Sequence, residues 1–235
     1  MESGVQPGAQ TVFGRCEIDA GKADRTEPEF RTPFTDARAQ RPCIQACRPV
    51  NGRGSREIPM IEFIHGGDDS EARLCTHLAS EDDTLALGAR LAHILCPGLK
   101  VWLQGNLGSG KTTLTRGMLR ALGHEGKVKS PTYTLIEPYT ASGLKFYHFD
   151  FYRFHTPEEY LEAGLDEYFS GDGVCIVEWP EKALPFLALP DLEIFLEPAS
   201  EGRKAEIVGH TDAGQKCLID LAKASRGADP APVQA

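Results

Sequence analysis

Between residues 60 and 209 the chain alternates compact apolar runs with stretches whose apolar residues recur every three to four positions, and each pattern dictates its own backbone. Leu85, Ala89, Ala92 and Leu95 share one helical face. Ser80 stands at the start of this helix with Asp83 three residues on, the spacing at which each side chain caps the other's backbone N–H, and Pro97-Gly98 ends it. Residues 99–103 (LKVWL) read as a short strand. A glycine-rich stretch follows at once and opens into a second helix, with Leu114, Met118, Leu119 and Leu122 along one side and Gly123 as its stop. Further strands are predicted at 60–64, 132–137, 146–149 and 174–177, with a helical stretch at 158–163. Residues 192–196 and 206–209, joined through Ser200-Glu201-Gly202, read as a terminal hairpin, and the acidic residues 67–71 as a loop.

Composition divides the chain unevenly. Leu, Ile, Val and Phe make up about 15% of residues 1–59, below the roughly 20% with which a chain can bury a core. This segment is expected to be a disordered extension, with Met60 as an alternative start, followed by one domain over 60–222 and a frayed tail over 223–235. The formal charge is −9, and residues 1–59 hold 9 Lys/Arg against 8 Asp/Glu, so the remainder carries about −10. An acidic domain is a poor match for the phosphate backbone of nucleic acid. No run approaches 18 apolar residues and the first ten residues lack a basic start with an apolar core, so no membrane partner is expected and the expected location is cytoplasmic. The 7 cysteines are scattered without a metal-ligand spacing and read as free thiols.

Gly105-Asn106-Leu107-Gly108-Ser109-Gly110-Lys111-Thr112 matches G-x-x-x-x-G-K-[ST] in full, between an apolar strand and an amphipathic helix. Glycines let consecutive N–H groups turn around a phosphate, the helix start adds its positive end, Lys111 reaches the outer phosphates and the Thr112 hydroxyl ligates Mg2+. Such a loop binds phosphate without hydrolysing it, so a further acidic group must complete the metal shell or place a water. Two apolar strands end in carboxylates: Phe146-Tyr147-His148-Phe149-Asp150 and Val174-Cys175-Ile176-Val177-Glu178. Ser130-Pro131-Thr132 fits either an ordinary turn or a switch-like loop whose hydroxyl senses the terminal phosphate. His148 and His155 read as packing or hydrogen-bonding groups, and Arg116 and Arg120 as solvated helix residues.

With Arg116-Gly117, Ser130-Pro131-Thr132-Tyr133-Thr134-Leu135, His148-Phe149-Asp150-Phe151-Tyr152-Arg153 and Val177-Glu178-Trp179-Pro180, the phosphate loop through Thr113 resembles the TsaE family over about residues 74–210. These are bacterial ATPases required for threonylcarbamoyladenosine in tRNA. The resemblance implies an α/β P-loop NTPase fold, a three-layer sandwich whose mixed sheet has parallel central strands and antiparallel edge strands. It implies ATP and Mg2+ as cofactors, with Gly105, Asn106, Leu107, Gly108, Ser109, Gly110, Lys111, Thr112, Thr113 and Arg203 at the nucleotide. Thr112 and Glu178 would hold the metal, while Asp150, Glu178 and Thr132 would serve catalysis. Trp179 would flank the site, and the loop around Glu81 would lie beside the adenine. The implied partners are the transferase TsaD and its paralogue TsaB, whose complex ATP turnover would reset, with weak activity alone and only an indirect link to tRNA. Asn106 replaces the family's usual Asp and Phe151 its usual Leu.

Two other classes use the same loop. A small-molecule kinase would need several arginines over the phosphates, and after Asp150 the chain has only Arg153, Arg203 and Arg226. A non-hydrolysing nucleotide-dependent scaffold would not need Asp150 and Glu178. Guanine recognition through Asn-Lys-x-Asp is excluded, because Asn51 and Asn106 are the sole asparagines.

Overall fold

The computed structural model describes residues 62–65 and 72–226, which fall in one compact unit; residues 1–59, with their expected disorder, lie outside the described residues. The strands are β1 (Glu62–His65), β2 (Ala72–Leu78), β3 (Lys100–Gln104), β4 (Ile136–Ala141), β5 (Leu144–Asp150), β6 (Val174–Glu178), β7 (Leu192–Pro198) and β8 (Arg203–Gly209). They form one sheet in the order β1-β2-β8-β7-β3-β6-β5-β4. The neighbours β7, β3, β6 and β5 run parallel, and antiparallel pairs extend both edges. β6 is buried at every position and β3 at its three central ones, as strands covered on both faces must be. The expected mixed sheet with parallel centre and antiparallel edges is what the chain forms.

Alternation along the strands sends residues to two cores. Val101, Leu103, Phe146, Val174 and Ile176 pack with Leu87 and Leu91 of α1 (Glu81–Ala92), Leu114, Met118 and Leu119 of α2 (Lys111–Ala121) and Leu218 and Leu221 of α4 (Asp212–Arg226). Phe149 belongs to an aromatic group on the other face, stacked on Phe169 at 5.0 Å, while Phe151 stacks on Phe154 at 4.9 Å. Short α3 (Glu159–Glu162) and the 3₁₀ turn Leu165–Phe169 supply Tyr160 and Phe169 to this group. The α1–α2 contact fixes the helix that carries the phosphate loop. A Cβ on Gly88 would lie 2.3 Å from Leu114 O, and one on Gly117 2.4 Å from Leu85 O, so the two backbones meet where only glycine fits.

The Ser80–Asp83 capping box forms in both directions, at 3.1 and 3.0 Å. Three expectations need correction. The strand predicted at 132–137 begins only at Ile136, because Pro131 O accepts from Thr134 N and Leu135 N and bends the chain, leaving Leu135 at φ 64. The expected loop at 67–71 lies outside the described residues, and β2, which the sequence pattern does not announce because Arg73 and His77 interrupt its apolar residues, pairs with β8 through six residues. The hairpin β7–β8 is not terminal, since α4 follows it and continues to Arg226, past the expected start of fraying at 223. Its buried Cys217, Leu218 and Leu221 are too few to announce a 15-residue helix. Cys96, Cys175 and Cys217 are free thiols, whereas Cys75 is disulfide-bonded, contrary to expectation. Among the described residues no helix is long and apolar enough to cross a membrane.

Candidate nucleotide site

β3 delivers the chain to Gly105, and three glycines then take left-handed φ values: Gly105 at 141, Gly108 at 77 and Gly110 at 105. Gly110 stands directly before the first residue of α2, so the loop's N–H groups and the positive end of the helix converge on one concavity. Lys111 is buried there, donating from Nζ to Gly105 O at 2.6 Å and Asn106 O at 3.1 Å, with the Trp179 ring centroid 4.2 Å away. Burial pulls its ammonium below the ordinary lysine range, opposed by the charges of Glu178, Asp150 and Glu181. The Asn106 carbonyl also accepts from Ser109 N at 3.1 Å, so residue 106 contributes its backbone to the loop. Arg203, from the first position of β8, donates to Ser109 O at 2.8 Å and crowds Gly110, where a Cβ would lie 2.0 Å from Nη1. Leu107 at the loop's tip is 76% exposed.

The two strand-end carboxylates meet across the sheet. Asp150 and Glu178 are paired residues of parallel β5 and β6, both nearly buried. Glu178 Oε1 accepts from Thr112 Oγ1 at 2.7 Å, which ties the first turn of α2 to the end of β6. His148 Nε2 lies 2.9 Å from the same oxygen. Asp150 accepts from Ser130 Oγ, from Thr132 Oγ1 at 2.7 Å and from Tyr152 N at 2.9 Å. Trp179, immediately after Glu178, has φ 59 and ψ 47, a conformation costly for a bulky residue, on the order of 1–2 kcal/mol. That turn holds its indole against Lys111 and 5.0 Å from Tyr152.

The family profile described as threonylcarbamoyl adenosine biosynthesis protein TsaE matches residues 78–206, more than half of the chain. The chain belongs to the TsaE family. Among its relatives, the tRNA threonylcarbamoyladenosine biosynthesis protein TsaE of Haemophilus influenzae is 40% identical over 150 residues, covering 62% of this chain and 95% of that protein. The Bacillus subtilis protein of the same name is 40% identical over 123 residues, covering 52% and 77%. The crystal structure of Bacillus subtilis YdiB superposes with a TM-score of 0.58 at 30% identity, covering 66% of this chain and 98% of YdiB.

In this TsaE-family chain the loop residues 105–113, Asp150, Glu178, Thr132 and Arg203 form one neighbourhood, assembled from β3, α2, β5, β6, β8 and the turn after residue 129. Three contacts were not legible in the sequence. His148 and Ser130 hold the two carboxylates from behind, and Arg116, expected to be solvated, donates to Val128 O and pairs with Glu81 at 3.4 Å. Spacing gave a signal for His148 alone: it lies two residues before Asp150 and shares its side of the strand. Among the described residues no group of three or more His, Cys, Asp or Glu could hold a metal. A divalent ion would therefore rely on few protein oxygens, with phosphate and water completing its shell, which is how Mg2+ is commonly held. The donor chemistry would fit such an ion: Thr112 Oγ1 and Glu178 Oε1 are hard oxygens 2.7 Å apart beside the phosphate loop.

Proposed function

We propose that this chain is a Mg2+-dependent ATPase that serves tRNA threonylcarbamoyladenosine modification by resetting the TsaD–TsaB transferase complex between rounds. The observation that carries the reading is the Thr112–Glu178 contact of 2.7 Å, which joins the phosphate-loop helix to the carboxylate of the neighbouring strand. Support for the pathway comes from family membership and from the names its relatives carry.

Mg2+·ATP, when bound, supplies the phosphoryl group together with a cation that offsets charge on its oxygens. The residues of the chain do the rest. Loop N–H groups and the α2 N-terminus bind phosphate, and Lys111, already desolvated, adds a charge in a low-dielectric pocket where it acts strongly. Thr112 and Glu178 hold the ion. Asp150 is fixed by three donors, which leaves it oriented to position a water at the strand edge and unable to swing away. Trp179 shields Lys111 from solvent. Arg203 braces the loop through the Ser109 carbonyl, a support of the nucleotide loop rather than a lid over it. The acidic surface suits docking on protein better than on tRNA, so the link to tRNA is indirect.

The test is a reconstituted reaction that counts threonylcarbamoyl groups transferred per TsaD–TsaB complex, with ATP, with and without this protein. Modification is expected to stall near one turnover without it and to cycle with it. Unchanged modification, alongside phosphorylation of a small molecule, would return the kinase reading.

A further inference from the structure

His148 has no part in the chemistry above, yet it is completely buried and reaches the site through one contact, Nε2 to Glu178 Oε1 at 2.9 Å. Its other nitrogen, Nδ1, is buried without a hydrogen-bond partner. A carboxylate oxygen only accepts, so Nε2 is the donor of this contact, its tautomer assigned from the network, and the imidazole offers the site this one hydrogen bond. Its strand lies between β4 and β6, with His148 opposite Ile176 and its side chain fully enclosed.

We propose that His148 is a positioning residue for the metal-binding carboxylate. Its Nε2–H and the Thr112 hydroxyl fill the two lone pairs of Glu178 Oε1, so the carboxylate is held in one orientation, with Oε2 on the side that neither donor occupies. A buried glutamate with only one donor would be less restrained about its broad last torsion. The imidazole therefore acts on the divalent ion at one remove, in the manner of groups behind metal ligands whose loss costs about 10- to 100-fold in metal affinity. The inference rests on the reading of Glu178 as a metal ligand, which the same experiment checks.

The experiment measures nucleotide and metal binding separately in the full chain, by fluorescence titration of an N-methylanthraniloyl ATP analogue with and without Mg2+, and by Mn2+ binding in the presence of ADP. Three variants are compared. In His148→Gln the amide nitrogen reaches the place of Nε2; in His148→Asn it reaches only the place of Nδ1; His148→Phe fills the space without a donor. Mn2+ affinity is expected to fall about 10- to 100-fold in His148→Asn and His148→Phe and by less than about 3-fold in His148→Gln, with metal-free nucleotide affinity unchanged throughout. Thermal melting separates this from a packing role, which would order the variants by size and lower metal-free nucleotide binding as well. Equal metal affinity in Gln and Asn variants would overturn the proposal. If Glu178→Gln itself leaves Mn2+ affinity at the wild-type value, the assignment of the metal ligand fails first, and a His148 effect on the metal cannot run through Glu178.

Discussion

The two halves of the nucleotide site are built on different physics. The phosphate loop is made of backbone: eight consecutive residues, three of them left-handed glycines, in a shape that local sequence alone can specify. The carboxylate half is made of side chains from the turn after residue 129 and the ends of β5 and β6, and it exists only because parallel pairing sets Asp150 beside Glu178. A backbone site tolerates changes of side chain at positions such as Asn106 and fails on changes of backbone freedom. A side-chain site should behave the other way round, with each hydroxyl and carboxylate contributing separately.

The largest expected effect lies where the halves meet. Lys111→Ala should lower ATP turnover by about 100- to 1,000-fold and nucleotide affinity by about 10- to 100-fold, read by phosphate release and by titration. Glu178→Ala should lower turnover by about 100-fold while metal-free nucleotide binding stays within about 3-fold, which would separate the carboxylate half from the cradle. If that variant supports full tRNA modification, hydrolysis is dispensable and only nucleotide binding matters. Gly110→Ala tests the backbone half without removing any charge. It sets a Cβ at φ 105 and 2.0 Å from the Arg203 guanidinium, so a loss of about 1–3 kcal/mol of stability is expected by chemical denaturation, with Arg203→Ala partly relieving it. Ser130→Ala removes one donor to Asp150 and should cost about 1 kcal/mol, since Thr132 and Tyr152 N remain. The smallest effect is expected at Tyr133, 84% exposed beneath the Arg153 guanidinium: Tyr133→Ala should change stability by no more than about 0.5 kcal/mol, so any larger loss in the reconstituted reaction reports on a partner.

Much of this was legible before any coordinates. A capping box, a strand–glycine loop–helix unit and two apolar strands ending in Asp150 and Glu178 are local patterns, and each formed as read. The turn that precedes Ile136 is set by contacts that no local pattern carries. Thr132, Tyr133 and Thr134 have high strand propensity, but the hydroxyls of Ser130 and Thr132 bond to a carboxylate 18 to 20 residues away, and that contact is worth more than the propensity. β2 likewise gained its place from β8, more than 120 residues later in the chain.

The sequence by itself determined the phosphate loop, because loop shape depends on which residues can adopt positive φ, and that is a property of each glycine and its neighbours. It also determined that two carboxylates would stand at strand ends. Only the tertiary structure decided that these carboxylates are partners across parallel strands, that Thr112 reaches one and Ser130 the other, and that His148 stands behind Glu178 with one nitrogen bonded. Hydrogen bonds of that kind depend on register and on distances of about 3 Å between residues far apart in the chain, and no local preference encodes them.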